Sequence, residues 1–393
     1  MDLGQIFTDL VNSSGFAGLF SGMGWQNAVM IVIALFLLFL GIVKKFEPLL
    51  LVGIAFGMLL TNLPAGEVFH AELWNDPNGV SYATVLQKGG LIDILYIGVK
   101  TGVYPCLIFV GVGAMTDFGP MLANPKSLIL GAAAQLGVFC AFILAIVFKF
   151  SPQEAASIGI IGGADGPTAI WLTKSLAPGL LGPIAIAAYS YMALIPFIQP
   201  PLMRLIVPKK ERMIKMEQTR EVSKAEKIIF PIMVTVFTVL ILPSVAGLLG
   251  CLMFGNLLKE TGVTDRLSDT AQNALMNIVT LFLGISVGAT AIGSTFLDIK
   301  TILIILLGLF AFAFSTVGGL LFGRLLCLVT HGKVNPLIGA AGVSAVPMAA
   351  RVAHREGLKA NPDSYLLMHA MGPNVAGVIG SAVAAGILMS VFG

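Results

Sequence analysis

Asp165 is the residue most able to do chemistry here. It lies in the run Ile158-Gly-Ile-Ile-Gly-Gly-Ala-Asp-Gly-Pro-Thr168, an acid set among helix-breaking residues in an otherwise apolar stretch. Gly162-Gly163 and Gly166-Pro167 interrupt a helix, and unwound backbone frees carbonyl oxygens. A carboxylate, the Thr168 hydroxyl and such carbonyls are hard oxygen ligands. They suit an alkali cation such as sodium rather than zinc or copper. Asp165 equally fits a plain role as the cap of a half-helix starting at Gly166, and both readings stay open at this level.

A second interrupted segment begins at Asn335-Pro336 and passes Gly339, Gly342, Ser344 and Pro347 to Arg351. It has Ala345 where the first has its acid, and offers an amide, a hydroxyl and a guanidinium instead. Those suit an anionic group, with Arg351 able to grip a carboxylate bidentately or, alternatively, to snorkel as a flank residue. Tyr189 and Tyr191 lie near the middle of the crossing that runs into Gln199-Pro200-Pro201. Tyr191 is a candidate proton donor or cation ligand, with an interface anchor as the plainer reading. In His369-Ala-Met-Gly-Pro-Asn374-Val-Ala-Gly377, Asn374 beside Gly-Pro is a further cation-ligand candidate, and His369 reads as a packed or capping residue. Gly111-Val112-Gly113 lacks the third glycine and the βαβ setting of a dinucleotide fingerprint. No P-loop, catalytic triad or metal-ligand cluster is visible. Cys106, Cys140, Cys251 and Cys327 are isolated in apolar runs and read as buried free thiols.

The elements that must position these groups are set by composition. Of 393 residues, 57% are hydrophobic and 11% charged, with a mean hydropathy of +0.93. Soluble domains carry about 25% charged residues, so a soluble enzyme, a nucleic-acid binder and a secreted disulfide scaffold are excluded. The expected fold is an all-α polytopic membrane protein, since helices satisfy their own backbone in lipid. Long apolar runs at 27–43, 49–62, 91–113, 127–148, 180–207, 228–245, 246–258, 274–290, 301–328 and 366–390 give about ten crossings. Two broken re-entrant hairpins, 151–177 and 335–352, are added to these. Residues 1–26 read as an N-terminal interfacial segment, without the basic start of a cleaved signal peptide.

The connector 208–227 holds seven Lys/Arg and four Glu. Its basic excess places it in the cytoplasm, between a first membrane half at 27–207 and a second at 228–393. Lys44, Lys45 and the stretch from Arg351 to Lys359 then fall inside. The acidic loop with Glu67, Glu72 and Asp76 falls outside, as do both termini; Lys149 and Lys174 are the exceptions. The halves resemble each other. Phe56-Gly57-x-Leu59-Leu60 recurs as Phe254-Gly255-x-Leu257-Leu258, and Phe109-Val110-Gly111 as Phe282-Leu283-Gly284. Gly159-x-x-Gly162-x-x-x-x-Pro167-x-Ala169 recurs as Gly339-x-x-Gly342-x-x-x-x-Pro347-x-Ala349. The two copies of this last motif start from opposite sides, an inverted-topology repeat of the kind that places a transporter's binding site at the midplane. The simpler alternative is two glycine-rich helices in close contact.

At these segments the sequence resembles the membrane-embedded beta subunits of biotin-dependent, sodium-pumping decarboxylases acting for oxaloacetate, methylmalonyl-CoA or glutaconyl-CoA. The runs that carry the resemblance are Lys44 to Leu50, Gly111 to Pro120, Gly159 to Ile170, Tyr189 to Ala193, Asn335 to Arg351 and Met368 to Ser381. It implies a subunit that takes carboxybiotin from a mobile carrier domain, decarboxylates it with consumption of a proton, and exports sodium. Asp165, Tyr191, Asn335, Gly339, Ser344 and Arg351 match the family's functional residues. Catalytic roles are expected for Tyr191, Ser344 and Arg351, sodium binding for Asp165, Thr168 and Asn374, and carboxybiotin binding for Asn335, Gly339, Ser344 and Arg351. The implied partners are a carboxyltransferase alpha subunit, a biotin carrier that bears the biotin, and a small single-span gamma or delta subunit; no nucleic acid is expected. A homo-oligomer in the plasma (inner) membrane of a bacterium or archaeon is expected. The short loop between Asn62 and Gly90 favours an acyl-CoA-type complex. The competing readings are a stand-alone sodium-coupled carboxylate transporter and a non-catalytic membrane scaffold.

Overall fold

A computed structural model describes residues 14–19, 22, 24–74 and 79–393. Most of the expected interfacial segment, residues 1–13, 20, 21 and 23, lies outside the described residues, as does Asp76 of the acidic loop. Among the described residues all regular structure is helical, with no strand. Each of the ten apolar runs falls on helix. By length and composition, five helices can cross a membrane: Gly24–Ile42, Ser127–Val147, Asp265–Ala289, Ile299–Val329 and Leu367–Phe392. Two bent pairs raise the number to seven. The expected ten is larger because some apolar runs fold as short helices. Pro48–Asn62 has 15 residues, about 22 Å at the helical rise, against about 30 Å of hydrocarbon.

The bends have local causes. Leu91–Lys100 and Val103–Met115 meet at 66° across Gly102, whose φ of +83° suits a residue without a Cβ. Lys174 Nζ donates to the Thr101 carbonyl at this corner, which gives one of the two exceptional lysines a partner at a helix C-terminus. Pro196, Pro200 and Pro201 lie inside Leu181–Ile206 and remove backbone donors there. Outward faces carry large exposed apolar side chains such as Leu205, Leu240, Ile241 and Leu328.

Packing is reciprocal. Gly57 on Pro48–Asn62 lies so close to the Ile285 carbonyl that a Cβ would overlap it, and Gly288 stands in the same relation to the Ile54 carbonyl. Gly113 on Val103–Met115 abuts the Leu252 carbonyl, and Gly255 on Ala246–Thr261 abuts that of Val110. Pro48–Asn62 and Val103–Met115 thus each press their backbone against a helix from later in the chain, an approach only small residues allow.

The connector is tied down on one face. Glu211 takes a two-point ion pair from Arg324 at 3.0 and 3.2 Å. Asn361 and Ser364 bond the carbonyls of Met213 and Ile214. Beneath it, Arg204 pairs at 2.8 Å with Glu356, a carboxylate buried on Met348–Ala360. In the acidic loop, buried Asp93 accepts from His70 N, His70 Nδ1, Trp74 Nε1 and Gly90 N at 2.6–3.1 Å.

Candidate functional site

Both interrupted segments are broken. In the first, Ser151 Oγ accepts from Glu154 N while Glu154 Oε2 accepts from Ser151 N, the capping box its sequence implies. Helix Pro152–Gly159 tightens into a 3-10 turn over Ile160–Gly163. Ala164 is left-handed at φ 54° and Asp165 extended, and helix resumes at Gly166–Leu176. The second segment has a 3-10 run over Pro336–Gly342, an extended stretch from Val343, and then helix Met348–Ala360. Its second limb therefore runs past the expected end at 352, because Val352, Ala353, Glu356 and Gly357 continue a buried face.

The two breaks touch. Ser344 N donates to the Gly163 carbonyl at 3.1 Å. Asp165 is 8% exposed. Its Oδ2 accepts from Thr168 Oγ1 at 2.7 Å and lies 3.2 Å from Ser381 Oγ. Ser381 Oγ is also 3.3 Å from Ser344 Oγ and 3.0 Å from the Val378 carbonyl. One hydroxyl proton cannot serve three acceptors at once, so this network has oxygen lone pairs to spare. Asp165 occupies the cap position of Gly166–Leu176 but makes no side-chain cap bond to it. Its side-chain bonds to the Thr168 and Ser381 hydroxyls are compatible with the ligand reading.

Asn374 is fully buried on Leu367–Phe392. Its Nδ2 donates to the Ala341 and Val343 carbonyls at 2.9 and 2.7 Å, while Oδ1 has no partner. It therefore holds the second break from behind and keeps an oxygen free. Asp165, Thr168, Ser344 and Asn374 are thus brought together. Ser381 joins them, and its signal was available: it follows Asn374 by seven residues, two turns on the same helix face.

Other expected site residues lie elsewhere. The Tyr191 hydroxyl donates to the Ile305 carbonyl on Ile299–Val329. Its neighbour Tyr189 lays its ring over Gly166, and its buried hydroxyl has no partner. Asn335 is buried and fully engaged: Oδ1 accepts from Leu337 N, and Nδ2 donates to the Arg212 and Ile214 carbonyls of the connector. Gly339 makes backbone contact with Gly319. Arg351 is exposed on Met348–Ala360, and no ion pair holds its guanidinium among the described residues. His369 Nδ1 has no partner, and the residue lines a surface concavity of about 480 Å³ with Asn124, Lys215, Arg220 and Lys333. Cys106, Cys140, Cys251 and Cys327 are free thiols as expected, Cys327 buried and the other three half-buried. Among the described residues no group of three His, Cys, Asp or Glu gathers as metal ligands do.

Residues 26–392 match the family described as Na+-transporting oxaloacetate decarboxylase beta subunit. The chain is 57% identical to the methylmalonyl-CoA decarboxylase subunit beta of Veillonella parvula, over 97% of this chain and 96% of that protein. It is 54% identical to the glutaconyl-CoA decarboxylase subunit beta of Acidaminococcus fermentans, over 98% and 97%. With the oxaloacetate decarboxylase beta chain 2 of Salmonella typhi it shares 50% identity, over 93% and 95%.

Proposed function

The chain belongs to the family of Na+-transporting oxaloacetate decarboxylase beta subunits, and from that premise we propose that it is the membrane subunit in which decarboxylation of carboxybiotin drives sodium outward. The observation that carries the reading is the junction of the two breaks, where Asp165 meets Ser344 and Ser381. Sodium binds there, to the carboxylate, the hydroxyls of Thr168, Ser344 and Ser381, and Asn374 Oδ1. The reciprocal glycine contacts support an inverted repeat of about ten crossings, with halves at 27–207 and 228–393 joined by a cytoplasmic connector.

Carboxybiotin comes from the cytoplasmic side on a biotin carrier charged by a carboxyltransferase. Arg351, exposed and without an ion pair, receives its carboxylate. Asn335 and Gly339 shape this site, the first by fastening the second break to the connector and the second by letting it approach Ile299–Val329. Loss of CO2 removes the anion, and Tyr191 delivers the proton to biotin as its hydroxyl leaves the Ile305 carbonyl. A ligand shifts a two-state equilibrium only by its differential affinity. Removing the anion is what tips the junction outward and releases sodium. The higher identities to the methylmalonyl-CoA and glutaconyl-CoA relatives favour an acyl-CoA as the upstream substrate of the complex.

The test is CO2 release from free carboxybiotin by the assembled complex. Arg351→Ala should lose saturation by carboxybiotin, with a loss of about tenfold or more in kcat/KM, the scale of a charge-assisted bidentate contact, while half-saturation by sodium stays in place. Unchanged saturation would remove Arg351 from the site. Carboxylate uptake by this chain alone in vesicles would favour a stand-alone transporter instead.

A further inference from the structure

Gln135 has no part in anything assigned above. It interrupts the span Ser127–Val147 between helices Ser127–Ala134 and Leu136–Val147, and it is 6% exposed. Its Nε2 lies 3.4 Å from the carbonyls of both Gly131 and Gly377, while Oε1 is buried without a hydrogen-bond partner. Flipping the amide would set oxygen against carbonyl oxygen, so the nitrogen's neighbours fix where the oxygen points. A Cβ built on Gly163 would be 3.0 Å from Ser381 Cβ and 3.8 Å from Gln135 Oε1. Gly163 is the residue whose carbonyl takes Ser344 N. The amide oxygen therefore faces the junction of the breaks.

Asn374 repeats the pattern. Its nitrogen is spent on backbone carbonyls of the second break, and its oxygen is buried and unpaired. Buried polar atoms are rarely left unpartnered. Gln199, on the Ala340 carbonyl, and Asn256, on that of Thr116, share that feature; Gln135 is set apart by its place beside Gly163 at the junction.

We propose that Gln135 is a further ligand of the sodium site, its Oε1 supplying a neutral oxygen to the cation held by Asp165, Ser344 and Ser381. The inference rests on the reading of Asp165 as a cation ligand. A carboxylate alone binds protons far more tightly than sodium. An amide oxygen adds to sodium coordination and offers a proton almost nothing, because its basicity is low. Gln135 thereby sets the preference for sodium over protons.

Sodium activation of CO2 release is measured on the assembled complex at several pH values for Gln135→Leu, Gln135→Glu and Asp165→Asn. Gln135→Leu should raise half-saturating sodium about tenfold, as losing one of several supporting ligands does, and deepen inhibition by protons. Gln135→Glu keeps an oxygen, so it should shift sodium half-saturation less and move proton inhibition to higher pH. A packing role would not alter competition between sodium and protons. Wild-type sodium activation and proton competition in Gln135→Leu, beside a defective Asp165→Asn, would overturn the proposal alone. Normal sodium activation in Asp165→Asn would overturn the Asp165 reading and the proposal with it, whatever Gln135→Leu shows. Should Gln135→Leu fail to assemble, Gln135→Asn withdraws the oxygen by one methylene and carries the same expectation.

Discussion

Asp165 is buried beside the hydroxyls of Thr168 and Ser381, and Ser381 is the one that joins it to the second break. Ser381→Ala should therefore raise half-saturating sodium about 10–100-fold, the usual cost of removing a group that orients a metal ligand, and sodium titration of decarboxylation measures it. An unchanged titration would show that the serine is packing alone. Asp165, Thr168 and Ser344 were legible in the sequence because polar types inside a Gly/Pro-broken apolar run have few other uses. Ser381 was marked only by its seven-residue spacing from Asn374, and Gln135 by nothing, since it sits in a continuous apolar run and gains meaning only from what lies opposite. Tyr191 was preferred over Tyr189 through the family resemblance, while it is the Tyr189 ring that lies over Gly166 of the first break. Two residues apart on one helix point in different directions, and sequence does not say which direction faces the site.

Helix starts and breaks were readable where a local rule decides them, as at the Ser151 capping box, while the one at Ser223, which starts a helix inside the expected connector, was missed. Span lengths were less so. Whether an apolar run continues as one helix, bends at Gly102 or stops after 15 residues depends on neighbours, and hydropathy carries no record of them. The acidic loop shows the same dependence: Asp93 falls at the start of an apolar run, yet it gathers His70, Trp74 and Gly90 around one carboxylate. The hydrogen bond to Asp93 is the main cause that raises the partly exposed His70 above its ordinary value of 6.5, with Glu72 and Glu67 adding to it. A histidine whose folded value is raised stabilises the fold fully below its unfolded value and loses that contribution as pH climbs through the folded one. Thermal stability of the purified complex should fall from about pH 6 to about pH 8 for this reason, and His70→Gln should flatten the slope. An identical slope in His70→Gln would assign it to other groups.

At the scale of the whole molecule, scarcity of charge is the organising fact. Eleven of the 43 charges crowd the connector, which reaches over the second break through Asn335, and Asp165 and Arg351 stand at the breaks. In this reading Asp165 and Arg351 divide the work: one holds the transported cation at the junction, the other meets the anion on an exposed helix. The junction then couples them, because Ser344 and Asn374 belong to the second break and its support while Asp165 belongs to the first. A two-state shift at the contact between Gly163 and Ser344 would be felt by both ligands, which is what coupling requires. The most direct measurement is sodium uptake and CO2 release recorded together in sealed vesicles bearing the assembled complex, for the wild type and Asp165→Asn. The account predicts that Asp165→Asn loses both together, and CO2 release continuing with wild-type sodium dependence would contradict it.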